Sequence, residues 1–175
     1  MKYALLIILL LTYTATTVAA QEGRCPKIPS EYSWSADEDY SKDVDLVKKT
    51  LKWLCVTPLG VDVEQRSLAN AYVMEWLAGT PQIKINITTA HLPFYDALPD
   101  LLFPFVHGIA LFKMNKPGIT DPLTLYMEGM DVVASLAQQS KELSRSKVLK
   151  PLLKAYKKKR MKEYVKQQLD GHEKI

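Results

Sequence analysis

The chain has 175 residues, of which 47% are hydrophobic and 24% charged, with seven glycines, two cysteines and a formal net charge of +4. That length supports one domain with a real core, two cysteines cannot build a disulfide scaffold or a four-cysteine zinc site, and so few glycines leave little material for phosphate-cradling loops. The charge is unevenly spread: residues 21–140 carry 10 Lys or Arg against 15 Asp or Glu, whereas residues 141–175 carry 12 against 4.

Residues 1–20 read as a secretory signal peptide. Lys2 gives the positive start, Ala4 to Leu11 an apolar run too short to span a bilayer, and Val18-Ala19-Ala20 small residues for cleavage before Gln21. Cleavage would leave 155 residues, Gln21 to Ile175, in a periplasmic or extracellular compartment. There Cys25 and Cys55 can pair, closing a loop of about 30 residues for about 3 kcal/mol. Alternatively Cys55, on the apolar side of a helix, is simply a small core hydrophobe.

After an irregular lead-in that contains Tyr32 and Trp34, Ser41 can cap a first helix whose opening turn holds Asp43 and Asp45. Val44, Val47, Leu51 and Leu54 give it one apolar stripe, and Thr57-Pro58 stops it. Asp62 can cap a second helix, with Leu68, Ala71, Tyr72 and Leu77 as apolar positions and Gly79-Thr80-Pro81 as its end. Ile83, Ile85 and Ile87 alternate with polar residues over 82–89, which predicts an extended segment laid across the bundle or a short edge pairing. Asn86-Ile87-Thr88 also matches a glycosylation triplet, a pattern common by chance.

Leu98 to Met114 is apolar on nearly every side, as in a buried central helix, with Pro104 marking a kink or a start near Phe103. Asp121-Pro122 reads as a cap followed by proline at the first helical position, and Leu123, Tyr126, Met130, Val133 and Ala137 form the next stripe. A last basic helix opens around Pro151 and ends before Gly171, its lysines interleaved with Leu152, Leu153, Tyr156, Met161, Tyr164 and Val165. The expected fold class is all-α: a signal peptide (1–20), a lead-in (21–40), one domain of about five helices (41–170) and a frayed tail (171–175).

Trp53-Leu54-Cys55-Val56-Thr57-Pro58 and Trp76-Leu77-Ala78-Gly79-Thr80-Pro81 share the pattern W-L-x-x-T-P, two copies of one way to end a helix. With these segments, Phe103-Pro104-Phe105-Val106-His107-Gly108 and the Gly129-containing helix before a basic tail, the chain resembles small uncharacterised exported helical proteins of Gram-negative bacteria. The resemblance implies a helical fold and no known activity.

Catalytic signals are sparse. His91, Asp96, Asp100 and His107 are the only grouping from which a metal or acid/base site could be assembled, and the spacings of H-E-x-x-H or paired C-x-x-C are absent. Ser144-Arg145-Ser146-Lys147 matches S-x-x-K without its partner motifs. No catalytic residue, cofactor or metal ligand is therefore assigned. The expectation is a non-enzymatic interaction or structural module. Its candidate contacts are Tyr32, Trp34, Trp53, Trp76 and His107, and its basic surface is formed by Lys154, Lys157, Lys158 and Arg160. A protein partner is the leading expectation, with peripheral contact to an anionic membrane as another. Nucleic acid is set aside for want of a recognition motif. The alternative is an apolar-ligand carrier whose pocket would be lined by Phe103, Phe105, Phe112, Met114, Met127 and Met130.

Overall fold

The two Thr-Pro steps act as the sequence leads one to expect. In the computed structural model, which describes residues 23–171, α1 (Asp37–Val56) stops at Thr57 and α2 (Val63–Gly79) stops at Thr80. Both cap residues are extended, and their N–H groups bond back to the Trp53 and Trp76 carbonyls. Then follow α3 (Leu102–Asn115), α4 (Pro122–Gln139), α5 (Lys150–Lys157) and α6 (Met161–Asp170), with 3-10 turns at Thr89–His91, Pro99–Leu101 and Leu143–Arg145. Every regular element among the described residues is helical, and none of the helices is long and apolar enough to cross a membrane. The expected signal peptide lies outside the described residues, as does the tail beyond Gly171.

Two apolar clusters form the interior. Val47, Leu51, Leu54, Tyr72, Val73, Trp76 and Ile83 join α1 to α2. Phe105, Ile109, Met130, Val133, Leu149, Leu152 and Val165 join α3 and α4 to the last two helices. Helix α3 links them, giving Ala110 to the first and Phe105 and Ile109 to the second. Its crossing with α4 is the most extensive in the molecule. At that crossing a Cβ on Gly108 would lie 2.7 Å from the Glu128 carbonyl oxygen, and one on Gly129 would lie 2.6 Å from the Phe105 ring. Glycine at both positions is what lets the backbones approach.

The segment after α2 takes the first of its two expected forms. It is irregular and spans both clusters: Ile83 is buried in the first, Ile87 packs on the second and Ile85 touches both. The Tyr126 hydroxyl anchors its end, accepting from the Thr88 N–H at 2.8 Å.

Three expectations are corrected. Helix α1 begins at Asp37, four residues before Ser41, because Asp39 accepts from the backbone N–H groups of Ser35 and Ala36, both at 3.2 Å. Helix α2 turns a different face inward: Arg66, Ala69, Tyr72, Val73 and Trp76 are buried, while Leu68 is 58% exposed and Ala71 lies outside. The two large rings set that rotation, since burying them removes more apolar surface than burying Leu68 and Ala71 would. The basic C-terminal helix is two short helices, which makes six among the described residues where about five were expected. The break falls at Lys159, whose φ is 56°. There the N–H of Arg160 reaches the Ala155 carbonyl at 2.9 Å and that of Lys159 reaches Tyr156 at 3.0 Å. This is a Schellman ending with lysine at the position glycine normally fills. Of the two readings of the cysteines, the structure has the second: Cys25 is a half-buried and Cys55 a buried free thiol.

Candidate functional site

The aromatic contacts expected from the sequence are spent on packing. Trp53 is 3% exposed, and Trp76 and His107 are fully enclosed, so none can meet a partner at the surface. Tyr32 and Trp34 are half-buried and close over the α1–α2 pair, with ring centroids 5.0 Å and 5.3 Å from Tyr72. The Trp34 indole donates to Asp43 at 2.8 Å, and that of Trp76 to the Tyr40 carbonyl at 3.1 Å. Cys55 belongs to the same interior, where burial pushes its thiol up to about 12.

The residues that suggested acid/base or metal chemistry do not converge. Among the described residues no three of His, Cys, Asp and Glu come together to hold a metal ion. His107 sits inside α3 with neither ring nitrogen hydrogen-bonded. Burial, with the nearby Arg66 charge adding to it, lowers its pKa to about 3 and keeps it neutral. His91 stacks edge-on against Tyr126, centroids 5.8 Å apart. Four of the residues expected to line a carrier pocket are dispersed. Phe105 and Met130 fill the core, Phe103 borders one surface groove and Met127 another.

The basic surface does form. Leu152, Leu153, Met161 and Val165 face inward, which turns Lys154, Lys157, Lys158, Lys159, Arg160 and Lys162 outward. The tight turn at Lys159 gathers most of this charge at the α5–α6 corner. Only Arg160 has a carboxylate in ion-pair range among the described residues, Glu163 at 3.8 Å. Two shallow concavities flank the corner. One, of about 300 Å³, holds Lys154, Lys158 and Tyr164; the other, of about 570 Å³, holds Met127, Asp131, Tyr156 and Lys159. Burial pushes the Tyr164 hydroxyl up to about 12 and raises the Asp131 carboxyl above its usual range.

A feature not anticipated from sequence lies at the other end of α1. Arg66 is 7% exposed and packs its guanidinium 5.4 Å over the Trp53 ring. Its Nη1 donates to the Leu54 carbonyl at 3.3 Å, and its Nη2 to the carbonyls of Thr57 and Pro58. The cation thus caps the negative end of α1. Burial lowers its pKa, yet a guanidinium stays charged in a protein. No carboxylate is in ion-pair range of it among the described residues. Arg66 and Asn70 lie along a groove of about 590 Å³ between α2, the Pro99–Leu101 turn and the α4–α5 link.

No family model matches the chain, and no curated protein or solved structure shows significant similarity to it.

Proposed function

We propose that the chain is a non-enzymatic exported helical module that docks on an acidic protein surface through its α5–α6 corner. The observation that carries this reading is the division of labour within residues 150–166: the apolar stripe is consumed by the core, and the cations stand out with a single carboxylate in ion-pair range among the described residues. Such a surface steers an oppositely charged partner and fixes its orientation. A protein is favoured over a bilayer because Leu152, Leu153, Met161 and Val165 are buried in the core and leave no apolar stripe on α5 and α6 to enter lipid. Export rests on the pattern of residues 1–20.

Site-specific photo-crosslinking from position 158 in intact cells tests the docking. The expected product is a covalent complex with an acidic protein that is lost in the Lys154→Glu, Lys157→Glu double variant. Binding of the pure protein to anionic vesicles, with no protein crosslink, would replace this reading with the membrane one. Intact mass of the exported chain tests cleavage, and the expected first residue is Gln21.

A further inference from the structure

The groove over Arg66 has the makings of a second binding site, built from residues other than those of the basic corner. Three segments far apart in sequence form it: the α1–α2 loop with the first turns of α2, the run from Ala97 to Pro104, and Ser140 to Leu143. Its walls are apolar, from Leu59, Leu98, Leu101, Phe103 and Leu143. Phe103 is 40% exposed there although it belongs to the most apolar helix of the fold.

Two polar atoms along this groove have no partner. Arg66 leaves its Nε–H unbonded and Asn70 its Oδ1, both out of reach of solvent. Those two atoms are enclosed, so what the groove presents to a ligand is the Arg66 charge itself, which has no carboxylate in ion-pair range among the described residues. Across the opening stand two exposed carboxylates, Asp100 and Glu142. The groove therefore offers a buried positive charge at its floor, negative charges at its rim and an apolar wall. Its volume of about 590 Å³ lies within the range for small-molecule sites and exceeds what a single amino acid fills.

We propose that this groove binds a short free peptide, with its C-terminal carboxylate toward Arg66, its N-terminal ammonium toward Asp100 and Glu142, and its side chains against Leu98, Leu101 and Phe103. A simple anion fits less well because the rim repels it. A simple cation fits less well because Arg66 does. A purely apolar ligand leaves the Arg66 charge without a counter-ion.

Titration of the isotopically labelled mature protein with tri-leucine, followed by NMR, tests the proposal. The expected result is saturable shifts at the Asn70 side-chain amide and at the Leu101 and Leu143 backbone amides. Tri-leucine amide, lacking the carboxylate, should bind about tenfold more weakly, the loss of one charge-assisted contact, and N-acetyl-tri-leucine should be weakened in the same direction. Because Arg66 also caps α1, its replacement could unfold the protein, so the rim provides the decisive variant. Asp100→Asn with Glu142→Gln, both on exposed residues, should abolish the preference for the free amine and, with the rim repulsion gone, should not weaken binding of the acetylated peptide. Absence of saturation at these amides, equal binding of all three peptides, or a preference for the free amine that survives the double variant would each overturn the proposal.

Discussion

His107 shows how a single residue can be read one way in sequence and play another part in the fold. A histidine beside aspartates suggests chemistry, but on α3 it is fully enclosed with neither nitrogen bonded, so the charged form is excluded from the folded state. Its pKa falls from the ordinary 6.5 to about 3, while the unfolded chain protonates it normally. Stability from this residue is therefore complete above pH 6.5, declines as pH falls from there toward 3, and is lost below. The slope is at most about 1.4 kcal/mol per pH unit. His107→Leu should be no less stable than the natural protein at pH 7, since two unpaired buried nitrogens are removed. Its advantage should widen on acidification. Urea titrations of both proteins between pH 7 and pH 4 check this, and parallel stability curves would refute it. Gly108 poses the opposite demand, because a methyl group there would meet the α4 backbone at Glu128 and Gly129 and the Val132 side chain. Gly108→Ala should cost about 1–3 kcal/mol through overpacking, despite the better helix propensity of alanine. Gly23, with nothing near its Cβ position, serves as the control that should tolerate alanine.

At the scale of elements, the sequence was most legible where punctuation is local. Asp121 caps α4 as read, its carboxylate accepting from the Thr124 N–H at 2.9 Å, and the Thr-Pro steps end α1 and α2. The all-α class and the run of Ile83, Ile85 and Ile87 across the bundle followed from periodicity. What stayed hidden depends on contacts distant in sequence. The rotation of α2 is decided by what Tyr72 and Trp76 meet on α1, and Arg66 reads as a solvated charge until the end of α1 is placed beside it. The α5–α6 break was missed because its left-handed position holds Lys159 in place of the glycine that would have signalled it. A lysine with φ of 56° is held at a cost of about 1–2 kcal/mol. Lys159→Gly should therefore stabilise the protein by about 1 kcal/mol, less what the added freedom of the unfolded chain takes back. Thermal unfolding measures the gain. A lower Tm for the variant would mean that the Lys159 side chain contributes more to the corner than its backbone costs.

At the scale of the whole molecule, the question is whether two clusters make two folding units or one. The α1–α2 cluster and the α3–α6 cluster each have their own apolar interior, so separate melting is conceivable. Three features argue against it. Helix α3 supplies side chains to both clusters, Ile85 packs on both, and Arg66 on α2 lies close enough to His107 on α3 to bias its protonation. Neither half can open without exposing apolar surface of the other, which is the condition for a single cooperative transition. The molecule carries its own reporters for the test. Its three tryptophans, Trp34, Trp53 and Trp76, all lie in or against the α1–α2 cluster, so indole fluorescence follows that half alone, whereas far-ultraviolet circular dichroism follows all six helices. The two signals should give the same urea midpoint in the natural protein. Ile85→Ala should shift both midpoints down together, by the about 2–5 kcal/mol typical of a large-to-small core change or less given its partial exposure. A fluorescence midpoint that separates from the dichroism midpoint in the natural protein would show the halves to be independent. The Arg66 groove, which draws on segments from both halves, would then open whenever either one unfolds.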